Sequence, residues 1–117
     1  MLKPVIWLGT TLRDLRSFPE PVRLDIGYAL FSAQRGAMDP EAKPLKGFTG
    51  ASVIEIVASH HGNAWRAVYT VRFREAIYVL HAFQKKSTRG SATPAREIER
   101  IKQRLLEAEL DHRERDQ

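Results

Sequence analysis

The sequence of 117 residues contains no cysteine, which excludes disulfide frameworks, thiolate metal sites and cysteine nucleophiles. It also lacks an apolar run long enough to cross a membrane, and the one at residues 5–8 is too short for the core of a secretory signal. Hydrophobic residues make up 43% and charged residues 28%, the composition of an ordinary folded domain. We therefore expect one cytoplasmic domain over residues 1–117, with a charged tail that frays from about residue 111.

Positive charge is the composition feature that points to a partner. Nineteen lysines and arginines against fourteen acidic residues give a net charge of +5. Residues 85–104 hold seven basic side chains and two acidic ones, so this segment alone has a net charge of +5. A local excess of this kind is typical of surfaces that contact phosphate groups.

The pattern of apolar residues predicts an α+β domain. We expect a strand at residues 5–8, a short helix near Thr11, and a second helix that begins around Pro19 and ends at Gly36. After a polar connection over residues 37–44, strands are expected at 53–57, 64–73 and 76–83. A last helix capped by Thr93 follows, with Arg104 off its apolar stripe. The prediction is an antiparallel sheet of about four strands, with two N-terminal helices and one C-terminal helix on one side.

The two aromatic-rich strands predict which side chains share a face of the sheet. If Arg74 and Glu75 form a two-residue turn, the face carrying Trp65 and Tyr69 is almost wholly apolar and should pack against the helices. The opposite face then exposes an arginine, a histidine and a lysine as possible functional groups. Arg66 and Arg72 lie on the first of the two strands, and His81 and Lys85 lie on the second or at its end. Arg66 and His81 become diagonal neighbours, about 7–8 Å apart between Cα atoms.

These residue types suit the cleavage of RNA by its own 2′-hydroxyl. That reaction needs a base, a cation that stabilises charge developing on the phosphate, and an acid for the leaving oxygen. Arginine fits the phosphate, and histidine or lysine can transfer the protons. The same residues also have structural explanations as solvated charges or, for His81, as a packed core histidine. The pair at residues 60–61 lacks a third ligand nearby, so we predict a turn there and no metal site or cofactor.

Four segments of the sequence resemble the RelE/ParE superfamily of toxin–antitoxin toxins, in its HigB-like, phage-derived branch. They are PLKG at 44–47, WRAVY at 65–69, LHAFQKKS at 80–87 and TP at 93–94 with Glu97-Ile98 behind it. The resemblance spans about residues 3–110. It implies a toxin that is neutralised by an antitoxin, expected to be a helix-turn-helix protein from the adjacent gene. RelE-like and HigB-like relatives cut mRNA on the ribosome without a metal, whereas ParE-like relatives poison DNA gyrase.

The resemblance also implies roles for individual residues. Arg66 takes the position of the arginine that stabilises the transition state, and Lys46 lies near the position of the lysines that orient the phosphate or act as the base. Many RNA-cutting relatives carry a late tyrosine, but no tyrosine follows Tyr78 here, so His81 is inferred to replace it. The predicted catalytic residues are Arg66, His81 and Lys85, and the predicted RNA-binding residues are Lys46, Arg72, Lys86 and Arg89. We expect an mRNA endoribonuclease; a gyrase inhibitor, or a degenerate toxin that only binds RNA or its antitoxin, stays open.

Overall fold

The computed structural model describes residues 2–85 and 93–115, which form one five-stranded sheet and three helices. The elements are β1 (Val5–Trp7), α1 (Thr11–Arg16), α2 (Glu20–Gln34), β2 (Ala42–Pro44), β3 (Val53–His60), β4 (Asn63–Thr70), β5 (Ile77–Lys85) and α3 (Ala95–Arg115). The sheet order is β1-β5-β4-β3-β2, and all neighbours are antiparallel except β1 and β5. Within the described residues, no helix is long and apolar enough to span a membrane. The α+β prediction is confirmed.

The fifth strand, β2, lies in the stretch that we predicted to be a polar connection. It is only three residues long and pairs with β3 at the edge of the sheet. Proline is tolerated there because an edge strand leaves one row of N–H groups unpaired. A strand this short carries no alternation of its own, so the sequence pattern could not reveal it.

One face of the sheet packs against α1 and α2, as expected. The α2 residues predicted at helical spacing are all buried: Val22, Ile26, Ala29, Leu30 and Ala33. They share a core with Trp65, Ala67 and Tyr69 of β4. Trp65 and Tyr69 are therefore core residues.

The other face, which we call the α3 face, is covered by α3, so the prediction of helices on one side only is wrong. Ile101 and Leu105 of α3 pack with Val68 of β4 and with Tyr78 and Leu80 of β5. An amphipathic helix of 21 residues has an apolar stripe that must be buried, and this sheet face offers the apolar partners.

The register of β4 and β5 agrees with the prediction over half its length. Trp65 pairs with Gln84 and Val68 pairs with His81, as predicted from the alternation. A shift between Val68 and Tyr69 then moves the pairing by one residue, so Tyr69 faces Val79. The predicted two-residue turn is wrong, because six residues (71–76) connect the strands. Tight hairpin turns require positive φ angles, for which Arg74 and Glu75 are poorly suited.

The C-terminal half of α3 is held in place where the sequence predicted fraying. The helix continues to Arg115, and Asp111 accepts hydrogen bonds from Tyr78 (2.7 Å) and Arg115 (2.6 Å). Burial is the main cause, and the hydrogen bond to Asp111 the second, that raises the pKa of Tyr78 to about 12. The Tyr78 hydroxyl therefore keeps its proton and stays a donor. The His112 ring stacks on Phe73 with centroids 4.4 Å apart.

Arg104 also differs from its predicted place off the apolar stripe. Its side chain is buried, and its Nη1 donates a 3.1 Å hydrogen bond to the carbonyl of Leu8. Gly9, next to that carbonyl, has φ +54°, and a Cβ built on it would lie 2.5 Å from the Arg104 guanidinium. Glycine is required here both by its backbone conformation and by the close approach of the guanidinium.

Candidate functional site

A cleft of about 320 Å³ opens between the chain around β2 and the beginning of α3. It is lined by Lys43, Pro44, Leu45, Lys46, Glu55, Thr93 and Ile98. Lys43 and Lys46 are exposed at its rim, whereas Glu55 is buried at its base. Two exposed ammonium groups at the rim of a concave site provide a place where an anionic group such as a phosphate can bind.

Glu55 is held by side chains from two other elements. Its Oε1 accepts a 2.8 Å hydrogen bond from Arg66 Nη1, and its Oε2 accepts a 2.7 Å bond from Thr93 Oγ1. Only 2% of the Glu55 side chain is exposed, so these charge-assisted bonds offset the cost of removing a carboxylate from water. They also fix the orientation of the Arg66 guanidinium.

Sequence reasoning did not single out Glu55 or Lys43, although the signal for Glu55 was present. Glu55 is the one charged residue in the β-branched segment at 53–57, and a charge in a buried strand needs a partner.

The predicted role of Thr93 as the cap of the last helix was wrong. The Pro94 carbonyl, not Thr93, accepts the first helical N–H bonds, from Glu97 and Ile98. The Thr93 hydroxyl instead donates its hydrogen bond to Glu55.

Arg66 lies on the predicted face, but that face is not open to solvent. Its side chain is 6% exposed and forms the ion pair with Glu55. The prediction of an uncovered basic face was wrong because it assumed that all helices pack on the other side of the sheet. In this conformation the carboxylate, and not solvent, faces the Arg66 Nη1.

His81 is the diagonal neighbour of Arg66, as the register predicted, since it pairs with Val68 while Arg66 pairs with Phe83. Its ring stacks on Phe83 with centroids 4.8 Å apart, and its Nε2 lies 3.4 Å from Glu97 Oε1. Burial lowers the pKa of His81 below its ordinary value, although Glu97 opposes the shift by favouring the charged form. The imidazole is thus neutral near pH 7 and able to accept a proton.

We expect Glu97→Gln to lower the pKa of His81 further, because burial then acts without the opposing carboxylate. The measurement is an NMR titration of the His81 ring protons in the folded protein, with the neighbouring exposed Glu99→Gln as the matched control. Because an unfolded chain takes up this proton near pH 6.5, the contribution of His81 to stability is present above that pH and is lost as the pH falls below it. An unchanged or raised pKa in Glu97→Gln would contradict the assignment.

The cleft brings together few of the predicted site residues, and neither Arg66 nor His81 is among the residues that line it. Lys46 lines it, whereas Lys85 is buried at the end of β5, on the same face as Arg66 and paired with Ala64. Arg72 is ion-paired with Glu109 of α3. Glu109 lies eleven residues beyond the cleft residue Ile98, roughly 16 Å along the helix, so this ion pair holds Arg72 away from the cleft. Lys86 and Arg89 lie outside the described residues.

Comparisons with known proteins bear on this fold and site. A family model described as "Phage derived protein Gp49-like (DUF891)" matches residues 13–106. The fold is similar to that of a mutant of the E. coli toxin RelE in the free state, with a TM-score of 0.54 and 16% sequence identity. That alignment covers 71% of this chain and 83% of the RelE chain. No curated protein sequence gives a significant match.

Proposed function

Because the chain belongs to the family of Gp49-like phage-derived proteins and has the RelE fold, we propose that it is the toxin of a type II toxin–antitoxin system. This membership confirms the relationship to the RelE/ParE superfamily that the sequence resemblance predicted. We propose further that the toxin cleaves mRNA on the ribosome and so inhibits translation. The observation that supports cleavage is the cleft, which is lined by two exposed lysines and by the buried Glu55 that is paired with Arg66.

The proposed reaction is an internal transfer. The 2′-oxygen of the RNA attacks the adjacent phosphorus as the bond to the 5′-oxygen breaks, which gives a 2′,3′-cyclic phosphate and a 5′-hydroxyl end. Lys43 and Lys46 would bind the phosphate, and Arg66, oriented by Glu55, would stabilise the charge that develops on it. The neutral imidazole of His81 is suited to take the proton of the 2′-hydroxyl.

The remaining predicted residues stay in the proposal with narrower roles. Lys85, on the same sheet face as Arg66, is a candidate for protonating the leaving oxygen. Arg72, Lys86 and Arg89 are candidates for contacts to RNA outside the cleft. The proposed protein partner is the antitoxin, and an acidic segment of it would complement the lysines of the cleft.

The cleft lysines provide the cleanest test, because both are exposed and neither supports the core. We expect Lys43→Ala combined with Lys46→Ala to reduce cleavage by about 10²-fold or more, as loss of positioned charges does in other sites. The measurement is growth after induction, together with sequencing of RNA 5′ ends. Lys102→Ala, an exposed lysine on α3 outside the cleft, is the matched control and should retain toxicity. Full cleavage by the folded double variant would contradict the proposal.

A second candidate, a gyrase-directed toxin without nuclease activity, is favoured by one observation. Arg66 is buried and paired with Glu55, so in this conformation its guanidinium is turned to the carboxylate and little of it is open to a phosphate. The same induction experiment separates the two candidates. A gyrase poison would induce DNA repair without new RNA 5′ ends, whereas an endoribonuclease would create such ends at defined positions.

A further inference from the structure

The outward side of α2 carries an apolar stripe that nothing in the described residues covers. Leu24, Tyr28 and Phe31 are 56%, 70% and 43% exposed, although α2 already buries its opposite side in the core. We define the α2 stripe by its six members: Glu20, Leu24, Gly27, Tyr28, Phe31 and Arg35. Their spacings place them along one side of the helix, and all six are exposed. A cluster of large exposed apolar residues is typical of an interaction surface.

The α2 stripe has an internal symmetry that identifies its partner. If α2 is turned end to end about the point midway between Gly27 and Tyr28, Leu24 takes the place of Phe31 and Phe31 that of Leu24. The same operation exchanges Glu20, at the first turn, with Arg35, directly after the last residue. A two-fold axis between two antiparallel copies of α2 would therefore match apolar with apolar residues and acid with base at both ends. This is the self-complementarity that an isologous dimer requires.

Gly27 is the second observation that points to a second chain. It lies in the interior of α2, where glycine is less favourable than alanine, and apart from its chain neighbours and the helix's own backbone no atom lies within 4 Å of a Cβ built on it. The fold of one chain therefore gives no reason for glycine at this position. At the centre of a helix crossing, a glycine allows close approach and leaves room for the Tyr28 ring of the other copy.

We propose that the chain forms a symmetric homodimer through antiparallel packing of the two α2 stripes. Glu20 of each copy lies opposite Arg35 of the other, and Tyr28 packs on the opposite Gly27. The paired helix dipoles add to this arrangement, since each N-terminus lies beside a C-terminus of the other copy. One 15-residue helix per copy makes a small contact, so we expect a weak dimer that dissociates on dilution.

The test is sedimentation equilibrium of the full chain over a roughly hundredfold dilution series. We expect a dimer that dissociates to monomer. Glu20→Arg and Arg35→Glu should each weaken it about threefold or more, and the double exchange should restore it, because each dimer contains the pair twice. Glu99→Arg makes the same charge change at an exposed position of α3, on the other face of the sheet, and should leave association unchanged. A chain that stays monomeric throughout, or a double exchange that fails to restore association, would overturn the proposal.

Gly27→Ala separates dimerisation from folding because its two effects have opposite sign. It should weaken the dimer, yet raise the Tm of the dilute monomer by about 3–5 °C through better helix propensity. Stronger or unchanged association in Gly27→Ala would contradict the crossing at Gly27. None of these measurements depends on toxicity, so they test the dimer independently of the proposed nuclease activity.

Discussion

Replacing Arg66 by alanine is expected to lower the free energy of unfolding by about 3–5 kcal/mol. The substitution leaves the Glu55 carboxylate buried without the charge that compensates it, and Thr93 donates only one hydrogen bond to it. Removal of one partner from a buried ion pair costs far more than removal of an exposed one. The measurement is urea unfolding followed by circular dichroism.

Arg72→Ala is the matched control, because Arg72 also pairs with a glutamate but both side chains are about one-third exposed. We expect this variant to lose less than about 1 kcal/mol. The double variant Glu55→Leu with Arg66→Met should recover much of the loss, since it removes both charges together. Equal stability losses for Arg66→Ala and Arg72→Ala would show that the Glu55–Arg66 pair is not buried as described.

This expectation changes how a loss of toxicity in Arg66→Ala should be interpreted. The sequence alone suggested that an exposed arginine could be removed without harm to the fold, but Arg66 is buried. An inactive Arg66→Ala variant would therefore report unfolding as readily as lost chemistry. The exposed lysines of the cleft are the better first test of function.

Regular periodicity explains which parts of the fold the sequence predicted. The buried stripe of α2 follows from its helical spacing, and the pairing of Val68 with His81 follows from alternation along two strands. The register shift after Val68 leaves no mark in that alternation, because both faces of β5 are apolar around Val79. The strand β2 is too short to show a period.

The candidate site was only partly predictable because it depends on where α3 packs. Lys46 was found through resemblance, and Arg66 and His81 were placed together by register. Thr93 reaches Glu55 because α3 packs on the face that was expected to be open, and the cleft lined by Lys43 and Lys46 lies between β2 and the beginning of that helix. The amphipathic pattern of α3 predicts that one side is buried, but it does not state against which face of the sheet.

Ile101→Ala tests this packing directly and should lower the free energy of unfolding by about 2–5 kcal/mol. Ile101 is completely buried between α3 and the α3 face, where it joins the core that contains Val68 and Leu80. Leu106→Ala, on the same helix but 61% exposed, is the matched control and should change stability by less than about 0.5 kcal/mol. Urea unfolding measures both variants.

The same variant should also act on His81, which α3 helps to bury through Glu97. If the loss of Ile101 loosens α3, water reaches the imidazole and its pKa should return toward the ordinary value, because burial is the main cause of its depression. An NMR titration of the His81 ring in Ile101→Ala and Leu106→Ala would detect the difference. A large stability loss with an unchanged His81 pKa would mean that α3 stays seated over His81 and that the cost arises from the cavity alone.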